Sequence, residues 1–256
     1  MQMNKRFVDK VVLVTGGTSG LGQDAALAFA REGAKVVIAG RRPEPGANTV
    51  ALIREQGSEA HFVQADVSQP DSAKAMVQSC LDHWGRLDYA YNNAGIDGVP
   101  MVHTADYDPD VWNRVIGTNL TGVFLSMKYE LQAMLKTGKG AIVNNSAVAA
   151  FKASKAVGSA YIASKHGVNG LTRNAALEYA DKGIRINAVC PAMIRTPMSD
   201  QGLLKDEALL KRALSLHPIG RIGMPSEVTA LVMFLCSDEA SFMTGTAIPV
   251  DGGFLC

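Results

Sequence analysis

Val11-Val12-Leu13-Val14-Thr15-Gly16-Gly17-Thr18-Ser19-Gly20-Leu21-Gly22 is the stretch whose reading decides the fold of this 256-residue chain. Val11–Val14 is an apolar, β-branched run of the kind that forms a buried strand. The glycines after it permit a tight turn and close backbone approach, and a helical pattern runs from about Leu21 to Glu32, where Gly33 stops it. A helix that starts from such a turn offers unpaired N–H groups to a pyrophosphate. The spacing Gly16-x-x-x-Gly20-x-Gly22 is not GxGxxG, and the missing Gly-Lys-Ser/Thr argues against a nucleoside triphosphate site. An ordinary glycine turn would read the same in isolation. Its place after the first strand favours a dinucleotide, with Gly16, Thr18, Ser19, Gly20, Leu21 and Gly22 as candidate contacts.

Working outward, short apolar runs alternate with helical patterns. Strands are expected at Lys35–Ala39, Ala60–Gln64, Leu87–Tyr91, Ala141–Asn145, Ile184–Cys190 and Ala247–Val250. Between them lie a helix ending near Gly57, one over Pro70–His83, a long one over Pro109–Lys136, and one over Ser159–Ala180. This alternation predicts an α/β fold: one doubly wound parallel sheet with helices on both faces, in a single domain spanning 1–256. Ligands of such sheets bind beyond the carboxyl ends of the strands.

The second strand ends Ala39-Gly40-Arg41-Arg42, without the carboxylate that would take up the ribose hydroxyls of NAD. Arg41 and Arg42 can pair with a 2′-phosphate, which favours NADP(H) and leaves NAD(H) as the alternative; two solvated arginines, one of them satisfied by Glu44, are the competing reading. Asp66-Val67 follows the third strand, where Asp66 either accepts from an adenine amino group or caps a helix. Asn92-Asn93-Ala94-Gly95 follows the fourth, making Asn93 and Gly95 further cofactor candidates.

Tyr161 and Lys165, four residues apart on a helix, share one face. A phenol titrates near pKa ~10 and an adjacent ammonium favours its phenolate, so the pair reads as an acid/base couple.

Together these residues resemble the classical short-chain dehydrogenase/reductase family. The likeness rests on Thr15–Gly22, Asp66-Val67, Asn92–Gly95, Asn119 in Thr118-Asn119-Leu120-Thr121-Gly122, Tyr161–Lys165 and Arg185–Pro191. Gly220-Arg221, Pro225, Glu227 and Val250–Gly253 extend it along nearly the whole chain. The resemblance implies a seven-stranded Rossmann-type sheet and hydride transfer between a nicotinamide and an alcohol or carbonyl carbon. Tyr161 would move the hydroxyl proton, Lys165 would lower its pKa and hold the nicotinamide ribose, and Asn119 would order a water in the relay. Ile194 and Thr196 would contact the carboxamide. A homotetramer is also implied, with the Pro109–Lys136 and Tyr161 helices in one interface and the C-terminal segment in the other.

The chain departs from the family at one catalytic position. Aligned from Val143-Asn144, the residues that follow are Asn145, Ser146 and Ala147, so the expected substrate-binding serine falls on Ala147. Ser146 through a shifted backbone, Ser154 or Ser159 reaching in, or a weakened and even silent cofactor-binding protein are the open readings.

By resemblance the substrate cleft is walled by Ile96–Met101, Ala147–Val157 and a lid over about 192–216, carrying Met101, Phe151, Met193, Met198, Leu203, Leu204, Leu209 and Leu210. An apolar lining suits a neutral or hydrophobic small-molecule ketone or secondary alcohol. The net charge of +1 gives no field for nucleic acid, and no apolar run is long enough to span a membrane. Cys80, Cys190, Cys236 and Cys256 show no metal-ligand spacing, so no metal is expected, and scattered thiols fit a reducing, cytoplasmic setting.

Overall fold

The computed structural model describes residues 5–201 and 207–256. Its strands are β1 (Val11–Thr15), β2 (Lys35–Gly40), β3 (Ala60–Gln64), β4 (Tyr89–Asn92), β5 (Gly140–Asn145), β6 (Ile184–Pro191) and β7 (Ala247–Val250). They form one sheet in the order β3-β2-β1-β4-β5-β6-β7, with every pairing parallel. The order reverses between β1 and β4, where Thr15 is level with both Ala39 and Asn92. The crevice of a doubly wound sheet opens at that reversal.

Alternate residues of β1 feed two cores, as strand geometry requires. Val12 and Val14 join the layer containing Phe29 of α1 (Gly20–Arg31) and Val232 of α9 (Pro225–Cys236). Val11 and Leu13 join the layer built from α3 (Pro70–Trp84), α5 (Gly122–Met134) and α6 (Ser159–Tyr179). Helix α9 is absent from the sequence-based expectation, because its nearly all-apolar run lacks a clear amphipathic stripe.

The helix expected to end near Gly57 starts at Pro43 as α2 (Pro43–Glu55), since proline is pre-organised for the start of a helix. One other expectation changes. The single long helix divides into α4 (Pro109–Ile116), a π-helical turn over Gly117–Thr121, and α5. The segment expected to form a lid holds α7 (Pro197–Gln201) and α8 (Glu207–Ser215). Leu203 and Leu204 lie outside the described residues, as do the side chains of Met198 and Leu209. Among the described residues no helix is long and apolar enough to cross a membrane.

Candidate active site

The glycine turn is fastened to the end of β4 by side chains. Thr15 Oγ1 accepts from the N–H groups of Asn93 and Ala94 at 3.0 and 3.1 Å. Asn93 Nδ2 donates to the carbonyls of Thr15 and Gly16 at 3.2 and 3.3 Å. Asn145 Nδ2 donates to Asn93 Oδ1 at 3.1 Å, and Lys165 Nζ donates to the Asn145 carbonyl at 2.7 Å. One chain of contacts thus runs from the turn after β1 to the lysine on α6. Thr15 and Asn145 lie within stretches quoted from the sequence but carry no contact in that reading; their signal was their place at strand ends.

The turn has the shape of a dinucleotide cradle. Gly16 and Gly20 take left-handed φ values of 65° and 54°. A Cβ on Gly22 would stand 2.4 Å from the Gly16 carbonyl oxygen, while one on Gly20 would approach Thr196 across the cleft at 3.4 Å. Thr196 therefore faces the turn from the far wall. Ile194 packs on Gly223 and bridges it, so its side chain belongs to the wall rather than the opening. Gly40 leaves the space that Thr18 fills, since a Cβ there would meet Thr18 Cγ2 at 2.8 Å. Arg41 and Arg42 are exposed, and among the described residues neither is ion-paired with Glu44 or any other carboxylate. Asp66 Oδ1 accepts from the N–H and hydroxyl of Ser68, which leaves Oδ2 for a ligand; Val67 is buried against Gly122. Gly95 lies against Asn119, where a Cβ would come within 3.3 Å of Oδ1. The buried Asn145 Oδ1 has no partner in the protein. An orphaned acceptor, a glycine-rich turn at the start of a helix and two guanidiniums without carboxylate partners fit a dinucleotide cofactor.

Lys165 is buried and its ammonium lies 5.4 Å from the Tyr161 ring centroid. Burial pulls the Lys165 pKa down to about 8, opposed by the Asp97 carboxylate and by the nearby Cys190. Burial also pushes the Tyr161 phenol well above its usual range, and Asp97 and Cys190 add to the rise. In the protein alone, desolvation outweighs the lysine effect expected from the sequence. Asn119 sits in the π-helical turn, a feature that often marks functional sites. Its Oδ1 accepts from Ile96 N–H and its Nδ2 donates to Ile96 O, both at 2.9 Å, and to Ser164 Oγ at 3.3 Å. Both amide hydrogens are spent, so a water relay through Asn119 would use its main-chain carbonyl.

The Ser146 hydroxyl is buried and donates to the Lys165 carbonyl at 3.1 Å, a bond that ties the end of β5 to the backbone of α6. Ser154 Oγ accepts from Ala156 N–H, and Ser159 Oγ pairs with Thr104 Oγ1 at 2.8 Å. Ala147, where the family pattern expects the serine, is buried and carries no hydroxyl. Asp97, not singled out from the sequence, is coupled by charge to both Tyr161 and Lys165; its only signal was an acid two residues after Gly95. On the outer walls, Met101 and Phe151 are exposed and Met193 and Leu210 half-buried.

Comparison with known proteins places the chain among similar oxidoreductases. A family model described as enoyl-(acyl carrier protein) reductase matches residues 16–255. The cyclohexanol dehydrogenase of Acinetobacter sp. (strain SE19) is 43% identical over 252 residues, covering 98% of this chain and 97% of that relative. The levodione reductase of Leifsonia aquatica is 39% identical over 257 residues, covering 97% and 95%. A crystal structure of levodione reductase aligns with a TM-score of 0.92 at 39% identity, over 97% of this chain and 98% of that one. A structure from Agrobacterium tumefaciens with bound NADP aligns with a TM-score of 0.89 at 34% identity, over 99% of both chains.

Proposed function

The chain belongs to the classical short-chain dehydrogenase/reductase family, oxidoreductases of alcohols and carbonyls, and from that premise we propose that it uses NADP(H) to interconvert a ketone and a secondary alcohol, with Tyr161 as the acid/base. The observation that carries the reading is the contact chain from Gly16 through Asn93 and Asn145 to Lys165, which ties the glycine cradle to the Tyr161 couple. Bound nicotinamide supplies or accepts the hydride. Gly16, Thr18, Ser19, Gly20, Leu21 and Gly22 hold the pyrophosphate against the α1 N-terminus, and Arg41 and Arg42 take the 2′-phosphate. Asp66 and Val67 line the adenine side, Asn93 and Gly95 the floor, and Ile194 and Thr196 the carboxamide side. Tyr161 gives its proton to the carbonyl oxygen in reduction and removes it from the alcohol in oxidation. Lys165 holds the nicotinamide ribose and supplies the positive charge that favours the phenolate.

The bound NADP of the Agrobacterium tumefaciens neighbour supports the cofactor assignment. Fluorescence titration is expected to show NADPH bound at least ~10-fold more tightly than NADH, as two guanidinium–phosphate pairs imply; tighter NADH binding sinks the arginine assignment and leaves an NAD(H)-dependent alcohol dehydrogenase. In the same experiment Tyr161→Phe keeps NADPH binding and loses ~10²–10⁴-fold in turnover. Retained turnover refutes the role of Tyr161.

Ala147 favours a second reading, a catalytically silent sensor or structural protein that keeps the cofactor site. It prevails if NADPH binds while a broad ketone and alcohol panel is left untouched. The 192–216 segment, which places Thr196 opposite Gly20, is assigned to a lid over the cleft. Trp112, Phe124 and Leu177 are exposed on α4, α5 and α6, which supports the homotetramer. Three buried, unpaired thiols fit a cytoplasmic setting.

A further inference from the structure

Asp97 lies between two fixed points beside the acid/base couple. Ile96 before it has both main-chain groups gripped by Asn119 and packs with Tyr107 and Tyr161. Gly98 after it turns at φ 75°, in a left-handed conformation where a Cβ would press on Tyr107 Oη and Val115 at 2.8 Å. The Asp97 side chain between them is exposed, and among the described residues no hydrogen bond or ion pair engages it. Its charge nonetheless reaches both Tyr161 and Lys165. Position 147, where the family pattern expects a substrate-binding serine, holds alanine and supplies no hydroxyl.

A carboxylate is an acceptor without a donor of its own, and it repels negative charge. A cationic substrate would meet the Lys165 ammonium in the same cleft. The group that suits both fields is a neutral donor. We propose that Asp97 is a specificity residue that contacts the substrate: its carboxylate accepts a hydrogen bond from a second hydroxyl, so that diols and hydroxyketones are preferred over plain or anionic alcohols and ketones. The inference rests on the oxidoreductase reading above and narrows its substrate class from neutral or hydrophobic carbonyls to polyhydroxylated ones.

The test uses the full-length enzyme with NADP⁺ and with NAD⁺, and compares kcat/KM for cyclohexanol, the 1,2-, 1,3- and 1,4-cyclohexanediols, and 3-hydroxycyclohexanecarboxylate. At least one diol is expected to exceed cyclohexanol by ~10-fold or more, since a site built for a hydroxyl rejects the analogue lacking it. The carboxylate is expected to be the poorest of the series. In Asp97→Ala the diol-to-cyclohexanol ratio falls to within about threefold of one, and Asp97→Asn raises the carboxylate relative to cyclohexanol. Because each variant is read as a ratio between substrates, a general loss of activity does not imitate the result. A diol preference that survives Asp97→Ala, or no diol preference in the native enzyme, overturns the inference and leaves the oxidoreductase reading standing. No turnover of any alcohol with either cofactor, together with none of the matching ketones with NADPH or NADH, overturns both.

Discussion

Lys165 meets two demands that part company at alkaline pH. Its ammonium supports the Tyr161 phenolate, yet burial has brought its pKa down to about 8. Tyr161, held above the ordinary phenol range, stays protonated through the neutral window. In carbonyl reduction the couple therefore loses a charge before it loses its acid. The rate of reduction, followed as kcat/KM against pH, is expected to be level below about 7 and to fall as pH rises through about 8. Lys165→Arg keeps its charge over that range, so its profile, at whatever height, should lack the fall; the same fall in the arginine variant excludes Lys165 as its source. Ala147 sets a second limit. Returning a hydroxyl to the substrate oxygen with Ala147→Ser is expected to raise kcat by ~10²- to 10³-fold, the range of a single oxyanion donor; an unchanged or lower kcat shows that the chain has rebuilt its site without that serine. The Tyr161–Lys165 pair was legible in the sequence because i, i+4 spacing is a local property of a helix. The direction of Ser146 was not, because it depends on where β5 ends and what α6 places behind it.

The turn after β1 shows what an element contributes beyond its residues. Gly22 belongs to the first turn of α1, and its missing side chain lets the helix close on the Gly16 carbonyl. The obstacle to a Cβ there is main chain, at 2.4 Å, with Asn93 Nδ2 at 2.5 Å, so no rotamer change relieves the contact. Gly22→Ala is expected to push α1 off the turn and weaken NADPH binding by ~10²-fold or more, by the cost of overpacking. Binding within threefold of native would show that the cradle is looser than this geometry implies. Alternation of apolar runs and turn residues was enough to place all seven strands, because that signal is carried within each segment. The break in the Pro109–Lys136 helix was hidden, because the π-helical turn is tied to tertiary contacts: the Asn119 carboxamide gripping Ile96 and Ser164. The start of α2 was not legible, because Pro43, Pro45 and Gly46 signal a loop locally, while proline at the first helical turn costs no hydrogen bond.

Across the molecule, the strand order is a long-range result, and with it comes a buried polar network that no local pattern announces. Because β4 pairs with β5, Asn92 is level with Asn144. Asn92 Nδ2 donates to Asn144 Oδ1 at 3.1 Å and to Glu130 Oε2 of α5 at 2.9 Å, and Asn144 Nδ2 donates to Thr172 Oγ1 of α6 at 2.9 Å. Glu130 is fully buried, and burial pushes its carboxyl up to about 8, although the Asn92 hydrogen bond pulls the other way. Glu130 Oε1 and Asn92 Oδ1 are both buried acceptors without partners, an arrangement that a proton on the carboxyl relieves. The folded protein thus binds a proton that the unfolded chain, with an ordinary carboxyl pKa of 4.5, releases at neutral pH. Stability from this group is fully present below about 4.5 and is lost as pH rises through about 8. Urea unfolding at pH 5, 6, 7 and 8 is expected to show the native protein losing on the order of a few kcal/mol across that range from this source. Glu130→Gln keeps the shape, carries no titrating proton, and brings an amide donor toward the unpaired acceptor. Its unfolding free energy should match the native value near pH 5 and exceed it increasingly toward pH 8. Taking the difference between the two proteins cancels Lys165, whose lowered pKa acts in the opposite sense and mainly above 8. Parallel stability curves for the two proteins would show that the network holds Glu130 ionised, with Asn92 alone compensating the buried charge.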